Sequence, residues 1–329
     1  MSVQKRNILI FSDLHLDNYR RFSTISNGGV NSRLLSQINV VGQVKRLAKK
    51  LKPEAIVFLG DLFNGQGATI NKLLYLMGNN LVYSLQEEFP VYLIVGNHDI
   101  YVNTHILTPM AGMPNVRIVE STVDESLIGR RITMVPWCGV IPRGGDVLLG
   151  HLDIDGVKTG IGYELPGTIH QKEVAQYNTV ISGHYHTYQT LPPNIVYCGA
   201  VMPISFGDVA DEDYGCLILD EDLKFTRSII DSPKFIPIII NTQQNIDKFA
   251  KNRGNNYYRL TITDRKIVVP KFDHMVEVEW DVQEEMKARL DYEIDDPLED
   301  ILCKYIDQCN TQINKEEAKL VLRGIMGEC

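Results

Sequence analysis

The sequence predicts an α/β domain built from layers of strands and helices. Over residues 7–220, short apolar runs that fit buried strands alternate with segments in which apolar residues recur at helical spacing. Residue types that can bind metals directly follow several of these runs, at the edge where a parallel sheet presents its ligands. The predicted strands are Ile8–Phe11, Ala55–Leu59, Val91–Val95, Arg131–Val135, Val147–Leu149, Thr179–Ser182, Ile195–Tyr197 and Cys216–Leu219.

Two amphipathic helices are predicted between the first three strands. In the first, apolar residues recur at helical spacing from Leu34 to Leu51, and Pro53 follows its predicted end. The second runs from Ile70 to Phe89 with a similar apolar stripe. Both stripes are interpreted as core-facing. The alternative for part of the second helix is a dimer seam, which leaves a homodimer open.

The pattern changes after Asp220, where strand-like runs surround a short polar helical stretch near 245–251 and predict a small α+β domain. These runs are Phe235–Ile240, Tyr257–Ile262, Ile267–Val269 and Met275–Trp280. The rest of the chain is predicted to be helical, with one apolar stripe beginning after Pro297 and a further helix capped by Asn314. The predicted domains are residues 1–230, 231–282 and 283–329.

The composition is that of an ordinary globular protein, with 329 residues of which 44% are hydrophobic and 22% charged. No apolar run approaches the roughly 18 residues of a transmembrane helix, and the N-terminal residues do not resemble a signal peptide. The six cysteines lack CxxC spacing and are interpreted as reduced thiols. These features predict a cytoplasmic protein that is not associated with a membrane.

The formal net charge of −8 is unevenly distributed along the chain. Residues 281–329 hold 13 acidic and 6 basic side chains, so this segment accounts for −7 of the total. Residues 248–271 are locally basic, with seven basic side chains against Asp264 alone. Because a local basic patch can attract a polyanion even on an acidic chain, nucleic acid remains a candidate partner.

Five short motifs place candidate metal ligands directly after strand-like runs. They are Asp13-Leu14-His15, Gly60-Asp61, Gly96-Asn97-His98-Asp99, Gly150-His151 and Gly183-His184-Tyr185-His186. Some of these motifs are weak evidence alone, because a GD or a DxH sequence often marks only a turn. Five in series predict one shared site, since ligands collect at the carboxyl ends of strands in α/β sheets. The mixed carboxylate, imidazole and amide donors favour Mn²⁺, with Fe²⁺ and Zn²⁺ as alternatives, over Ca²⁺.

The order of these motifs over residues 8–190 resembles that of the calcineurin-like metallophosphoesterases. The resemblance implies a four-layer sandwich, in which β-sheets are flanked by helices, and a catalytic domain at 1–230 with two divalent metal ions. One metal ion would be held by Asp13, His15, Asp61 and His186. The second would share the bridging Asp61 and would also be held by Asn97, His151 and His184.

The resemblance also implies roles for the last two residues of the third motif. His98 would lie outside the metal shell and face the leaving-group oxygen, and Asp99 would orient it by hydrogen bonding. Two adjacent cations lower the pKa of a water molecule, neutralise phosphate oxygens and organise in-line attack on a phosphodiester. His98 and Asp99 are therefore the predicted catalytic residues.

The residues after the last motif indicate a particular kind of phosphoesterase. The stretch Tyr197–Asp208 is similar to one in SbcD-type DNA exonucleases, the nuclease subunits of bacterial and phage double-strand-break processing complexes, although Ala200 and Pro203 depart from that pattern. The layout of a catalytic domain, a small capping domain and terminal helices is similar too. Asn64 stands where some of these relatives have a histidine, a departure that concerns the handling of DNA ends.

The acidic helical C-terminus resembles that of phage members of the same group. In those proteins the terminal helices bind the coiled-coil base of an SbcC-like ATPase, so the resemblance implies such a partner here. For a phage protein, the expected location becomes the cytoplasm of the host.

Basic residues in two regions are predicted DNA contacts. In the small domain they are interleaved with aromatic residues such as Phe249 and Tyr257, which could stack on unpaired bases while the cations bind phosphates. A solvated basic surface over a core of aromatic residues is the open alternative. The candidates are Lys251, Arg253, Arg259 and Lys266, together with Arg20, Arg21 and Arg33 in or next to the loop after the first motif.

Three functional hypotheses follow. The first is a Mn²⁺-dependent DNA exonuclease or endonuclease subunit that works with an SbcC-like ATPase in DNA end processing, recombination or repair. The second is a small-molecule or cyclic-nucleotide phosphodiesterase, which would need neither a basic small domain nor partner-binding helices. The third is an inactive scaffold, which disagrees with the presence of every predicted metal ligand together with His98.

Overall fold

The architecture is that of a computed structural model of the chain. The structure describes residues 5–26, 28–65, 70–102, 104–159, 162–208, 212–281, 297–308 and 314–326. The chain divides into two compact units, Met1–Trp280 and Asp281–Cys329. The predicted boundary at residue 231 lies within the first unit.

Within the described residues, the strands in chain order are β1 (Asn7–Phe11), β2 (Ile56–Phe58), β3 (Val91–Ile94), β4 (Ile100–Tyr101), β5 (Thr104–His105), β6 (Val116–Val119), β7 (Val123–Leu127), β8 (Arg130–Val135), β9 (Gly145–His151), β10 (Tyr177–Gly183), β11 (Gln189–Leu191), β12 (Ile195–Tyr197), β13 (Gly215–Asp220), β14 (Phe225–Ile229), β15 (Phe235–Ile240), β16 (Tyr257–Ile262) and β17 (Val276–Trp280). The α-helices are α1 (Ser32–Leu51), α2 (Lys72–Gln86), α3 (Gln171–Val174), α4 (Gln243–Asn252), α5 (Leu298–Gln308) and α6 (Lys315–Met326). A 3-10 helix covers Thr108–Gly112.

The first sheet has the strand order β14-β13-β1-β2-β3-β6. Strands β1, β2, β3 and β6 are parallel, whereas β13 and β14 are antiparallel additions at one edge. On β1, Ile8 and Ile10 pack in one hydrophobic cluster and Leu9 and Phe11 in another, as expected for a strand buried on both faces. The cluster around Leu9 includes the buried faces of α1 and α2, which cover this side of the sheet.

The second sheet has the order β11-β12-β10-β9-β8-β7, with parallel central strands and antiparallel pairs at both edges. Val147 and Leu149 of β9 share the cluster of Ile8 and Ile10, so the two sheets lie face to face. On the outer face, the neighbouring cluster includes Val174 of α3. The predicted α/β sandwich of sheets flanked by helices is confirmed.

A parallel three-stranded sheet follows in the order β15-β16-β17, with α4 packed against it. The strand predicted at Ile267–Val269 is absent, and this prediction was wrong. There the N–H of Ile267 donates to the carbonyl of Asp264, and the N–H of Val268 donates to the side chain of Gln243. These groups are therefore not paired in a strand ladder.

The second compact unit contains α5 and α6 within its described residues. Helix α5 begins directly after Pro297, and Asn314 accepts a hydrogen bond from the N–H of Glu317 at 3.4 Å at the start of α6, both as predicted. The helical prediction for 283–296 falls outside the described residues. In the part of the chain that the structure describes, no helix has the length and apolar character needed to cross a membrane.

Candidate metal centre

The five motifs meet where the carboxyl ends of the parallel strands lie. The first sheet supplies the residues that follow β1, β2 and β3, which are Asp13, His15, Asp61, Asn97 and His98. The second sheet supplies the residues at the ends of β9 and β10, which are His151, His184 and His186. The structure therefore brings every predicted metal ligand, together with His98, into one region.

Left-handed backbone conformations occur at four of the seven predicted metal ligands. Asp13, His15, Asp61 and His184 have φ angles of 53°, 45°, 59° and 89°. For residues with a side chain this conformation costs free energy, and it persists where the surrounding structure holds it, often at functional sites. The four residues thus leave their strands by sharp turns that direct their side chains toward a common point.

The first predicted ligand set surrounds His15. Its Nε2 lies 3.2 Å from Nε2 of His186, 3.5 Å from Oδ2 of Asp61 and 3.8 Å from Oδ1 of Asp13. Ligand atoms of Asp13, His15 and His186 all lie within 4.8 Å of one another. A cation between the two Nε2 atoms would accept a lone pair from each of them. This set therefore fits a divalent metal ion.

The second predicted set surrounds the amide oxygen of Asn97. This Oδ1 lies 2.9 Å from Nε2 of His151 and 3.1 Å from Nδ1 of His184. Nε2 of His151 is also 3.4 Å from Oδ2 of Asp61, the carboxylate oxygen that approaches His15 in the first set. Nδ1 of His151 lies 2.8 Å from the carbonyl of Leu59, which requires a proton on Nδ1 and leaves Nε2 as the ligand atom. Asp61 thus lies between the two sets.

Glycines before the ligands allow the strand ends to approach closely. A Cβ atom on Gly96 would lie 2.2 Å from Oδ1 of Asp61, and one on Gly60 would lie 2.5 Å from Nδ1 of His151. Gly60 also has a φ of +107°, which disfavours any residue with a side chain. At these two positions the site has no room for a methyl group.

The centre concentrates negative charge in a buried position. Burial would raise the pKa values of Asp13 and Asp61, but the neighbouring imidazoles outweigh it, so both pKa values are lowered. Burial would lower the pKa of His151, but the carboxylate of Asp61 raises it to about 9. The carboxylates therefore attract positive charge to this point, whether it comes from protons or from metal ions.

His98 and Asp99 have separate roles in the structure. Nδ1 of His98 lies 2.7 Å from the carbonyl oxygen of Asn64, which places the proton on Nδ1 and leaves Nε2 for other contacts. The fully buried carboxylate of Asp99 accepts three backbone N–H groups at 2.9–3.0 Å, those of Asp61, Leu62 and Gly96. Both of its oxygens are thus engaged. The predicted orientation of His98 by Asp99 is corrected: the Asn64 carbonyl orients His98, and Asp99 joins the second and third motifs.

Asp208 is a site residue that the sequence analysis did not assign. Its Oδ1 lies 2.9 Å from Nδ1 of His186, and its Oδ2 accepts the N–H groups of Ile204 and Ser205 at 2.7 and 2.8 Å. The carboxylate is therefore fixed by the backbone and in turn fixes the imidazole, so that Nε2 of His186 faces His15. The sequence feature that could have identified Asp208 was its position at the end of the Tyr197–Asp208 stretch.

A cavity of about 710 Å³ opens beside the predicted metal ligands. Four of the predicted DNA contacts line it, and we call it the arginine cavity after Arg20, Arg21, Arg33 and Arg259. The other three predicted contacts do not line it. Arg253 pairs with Asp273, and Lys251 and Lys266 are exposed.

An α/β sandwich with carboxylates and imidazoles gathered at its strand ends is the architecture of a metal-dependent hydrolase. The chain belongs to the calcineurin-like phosphoesterase family, whose sequence profile matches residues 6–188. This match covers more than half of the chain and includes all of the predicted metal ligands and His98. The family uses divalent metal ions, in agreement with the ligand clusters of this structure.

Two viral proteins show similarity to this chain. It is 25% identical over 211 residues to the protein named Putative phosphoesterase 078R of Invertebrate iridescent virus 3, with 57% of each chain covered. It is 27% identical over 184 residues to Putative phosphoesterase 244L of Invertebrate iridescent virus 6, with 47% of this chain and 62% of that protein covered. The chain therefore spans less than two thirds of the length of either relative.

Asp208→Asn is expected to weaken metal binding about 10- to 100-fold, as is usual when the partner of a ligating histidine is changed. Asparagine retains the shape of the side chain but loses the negative charge that stabilises the His186 imidazole. Calorimetric titration of the metal-free protein with Mn²⁺ measures the effect. Asp222→Asn, which removes a surface carboxylate that pairs with Lys5, is the control with unchanged affinity. Equal affinities in both variants would leave Asp208 with a structural role only.

Proposed function

We propose that the chain is a Mn²⁺-dependent DNA exonuclease or endonuclease subunit of the SbcD type, acting in DNA end processing, recombination or repair. The observation that carries the proposal is the arginine cavity, where cationic side chains and metal ligands line the same space. A metal centre alone can serve any phosphate ester. Cations beside it suit a substrate with further phosphates on neighbouring nucleotides, as in a polynucleotide.

Arg33 is the residue of this cavity that most favours an anionic ligand. It is only 7% exposed, its guanidinium lies 3.9 Å from the ring centroid of Tyr19, and its Nη2 donates to the carbonyl of Ile204 at 2.6 Å. Burial lowers the pKa of Arg33, but an arginine remains charged at neutral pH. Among the described residues no carboxylate pairs with it, and a buried cation without a carboxylate favours an anionic ligand.

Aromatic side chains give the same cavity surfaces on which a base can stack. Phe22 and Phe235 line it and are almost wholly buried. Phe206 is partly exposed, and Cζ of Arg259 lies 4.2 Å above the centroid of its ring. An aromatic face next to a cation can stack on an unpaired base while the cation binds its phosphate. This combination supports a substrate with unpaired nucleotides near the cleavage point.

The chemistry of hydrolysis is divided among the residues described above. The two ligand sets would hold divalent cations, which would supply Lewis acidity and lower the pKa of a water molecule. His98 lines the cavity with Nδ1 held by Asn64, so Nε2 is the atom that can transfer a proton to the leaving oxygen. Arg33 holds the polynucleotide by its charge, and the loop that follows β1 supplies Arg20 and Arg21 at the rim.

A small-molecule or cyclic-nucleotide phosphodiesterase is the second candidate, and one observation favours it. Two of the four cavity arginines already have carboxylate partners, because Arg21 and Arg259 both pair with Glu277. These pairs reduce the positive charge available to a long polyanion. A substrate with a single phosphodiester would need no more than the metal centre and Arg33.

The proposed protein partner is an SbcC-like coiled-coil ATPase that binds α5 and α6. Large apolar side chains on these helices are each more than half exposed, namely Leu298, Tyr305, Leu320, Val321 and Ile325. Apolar stripes on paired helices suit docking on the helices of another protein. Leu320→Asp is expected to abolish co-purification with a phage or bacterial SbcC-type ATPase, whereas Glu316→Gln on the same helix retains it. Retention by both variants would contradict this site of contact.

The nuclease proposal is tested with linear duplex and single-stranded DNA in Mn²⁺, beside bis-p-nitrophenyl phosphate. The double variant Arg20→Ala/Arg21→Ala is expected to weaken DNA binding and to flatten its salt dependence by about one unit of slope per lost phosphate contact. Lys251→Ala/Lys266→Ala removes the same charge outside the arginine cavity and is the matched control.

The two sets of substrates separate the candidate functions. Cleavage of DNA by the wild type, with a larger loss in the cavity variant than in the control, supports the nuclease. Cleavage of bis-p-nitrophenyl phosphate without cleavage of DNA, even with an SbcC-type ATPase added, contradicts it and favours the small-molecule phosphodiesterase.

A further inference from the structure

A second cavity adjoins the metal centre, and apart from His151 the proposed function does not use its lining residues. It has a volume of about 830 Å³ and shares no lining residue with the arginine cavity. We call it the Trp137 cavity. It is lined by residues of the loop 137–144 after β8, by residues of 168–176 around α3, and by His151 and Asp153 at the end of β9. Because His151 lines this cavity and His184 lines the other, the metal centre adjoins both.

Trp137 connects this cavity to the metal ligands. The centroid of its ring lies 4.9 Å from that of His184 and 6.0 Å from that of His151. Its backbone N–H donates to the carbonyl of Val95 at 2.9 Å, which fixes the loop to the end of β3. The side chain is half-buried and lines the cavity, so part of the indole is accessible to a ligand.

The backbone around Trp137 is held in a tight turn. The N–H of Gly139 donates to the carbonyl of Pro136 at 2.9 Å, and a Cβ atom on Gly139 would lie 2.8 Å from the Pro136 ring. Cys138, between them, has a φ of 57°. A non-glycine residue in this conformation is strained, and such strain is typical of segments that position a functional side chain. The turn therefore fixes the backbone that carries the indole.

The remaining lining of the cavity combines apolar groups, two cations and two carboxylates, and the carboxylates are those of Asp153 and Glu173. Ile141 and Ile169 are apolar, Val140 is 80% exposed, and Arg143 and Lys172 are exposed cations. An indole face with apolar neighbours binds flat aromatic groups, and cations at the rim bind phosphate. A nucleotide carries both features, and the volume of the cavity is in the range of small-molecule sites.

We propose that the Trp137 cavity is a nucleoside subsite, in which the base on one side of the scissile phosphate stacks on Trp137 while Arg143 and Lys172 face an adjoining phosphate. The proposal deepens the proposed function and rests on it. It assigns the parts of the polynucleotide on the two sides of the scissile phosphate to different cavities. The arginine cavity binds the polynucleotide backbone. The Trp137 cavity binds the nucleotide next to the metal centre.

The experiment uses the fact that the full chain has two tryptophans. Trp280→Phe changes a residue on β17 that is 52% exposed and leaves Trp137 as the one fluorophore of this type. Titration with thymidine 5′-monophosphate is expected to quench this fluorescence with saturation. 2-Deoxyribose 5-phosphate, which has the same phosphate and sugar without the base, is expected to bind about 5- to 100-fold more weakly. Trp137→Phe, in which Trp280 remains, is the control without saturable quenching.

Each outcome supports or overturns the subsite. Weaker nucleotide binding in Arg143→Ala and Lys172→Ala versions of the Trp280→Phe protein supports it. Absence of quenching, or equal quenching by both phosphates, overturns it, even if the wild type cleaves DNA. Saturable quenching by the nucleotide in a protein that cleaves no DNA retains the subsite and refutes the nuclease, so the two failures are distinguishable.

Discussion

His98→Ala is expected to retain its divalent metals and to lose about 10²- to 10⁴-fold in kcat, the usual contribution of a positioned acid or base. The expectation rests on the hydrogen bond from Nδ1 to the Asn64 carbonyl, which leaves Nε2 as the atom that can exchange a proton with the substrate. It also rests on the assignment of ligands, because neither of the two proposed metal-ligand sets includes His98. Hydrolysis of bis-p-nitrophenyl phosphate and metal content by mass spectrometry are measured on the same preparation.

The metal measurement is essential for His98, because its ring lies close to the ligands. The centroids of His98 and His15 are 4.7 Å apart, and ligand atoms of His98, His15 and Asp61 lie within 4.8 Å of one another. A loss of metal together with activity would make His98 a ligand instead of a proton donor. His274→Ala, at an exposed position outside the site, is the control with wild-type values. Undiminished hydrolysis by His98→Ala would refute the assignment.

Asp61→Asn is expected to lose at least about a thousandfold in activity and to bind fewer metal ions. The metal ions contribute several kcal/mol of transition-state stabilisation, and each 1.36 kcal/mol corresponds to a factor of ten in rate. Asp61 approaches both His15 and His151, so one substitution removes a carboxylate from both ligand sets. Its effect should therefore exceed that of a change at either set alone.

The substitution at Asp61 is designed to preserve the fold. Asparagine has the same shape, and its Oδ1 can still accept the N–H of His98, a bond of 2.9 Å in the wild type. Stoichiometry from titration with Mn²⁺, together with hydrolysis rates, measures the result. Asp124→Asn, which changes a carboxylate paired with Arg131, is the matched control. Two bound metal ions and a normal rate in Asp61→Asn would contradict the bridging position.

The buried strands could be predicted from the sequence because both of their faces are apolar. Ile195–Tyr197 and Tyr257–Ile262 form strands with the predicted bounds. The edge strands β7 and β11, with the sequences VDESL and QTL, contain few apolar residues, so they lack the run that marks a buried strand. The strand predicted at Ile267–Val269 does not form because of a tertiary contact, in which the N–H of Val268 donates to the side chain of Gln243.

The convergence of the predicted metal ligands could be predicted because parallel strands bring residues at their carboxyl ends together regardless of the loops between them. Their supporting partners could not, because these depend on the path of loops that have no periodic pattern. The Asn64 carbonyl beside His98 and the Asp208 carboxylate beside His186 are two such cases. Arg33 is another: the sequence shows a basic residue, and only the packing on Tyr19 shows that it is buried.

The predicted ligands of the metal centre come from both sheets, with Asp13, His15, Asp61 and Asn97 on one and His151, His184 and His186 on the other. Metal coordination tolerates changes in ligand distance of only about 0.2 Å. A slight slide of one sheet over the other would therefore separate the donors before it exposed the core between them. Metal affinity should therefore respond to small shifts of one sheet relative to the other. Substitutions far from the donors can then impair hydrolysis without unfolding the protein.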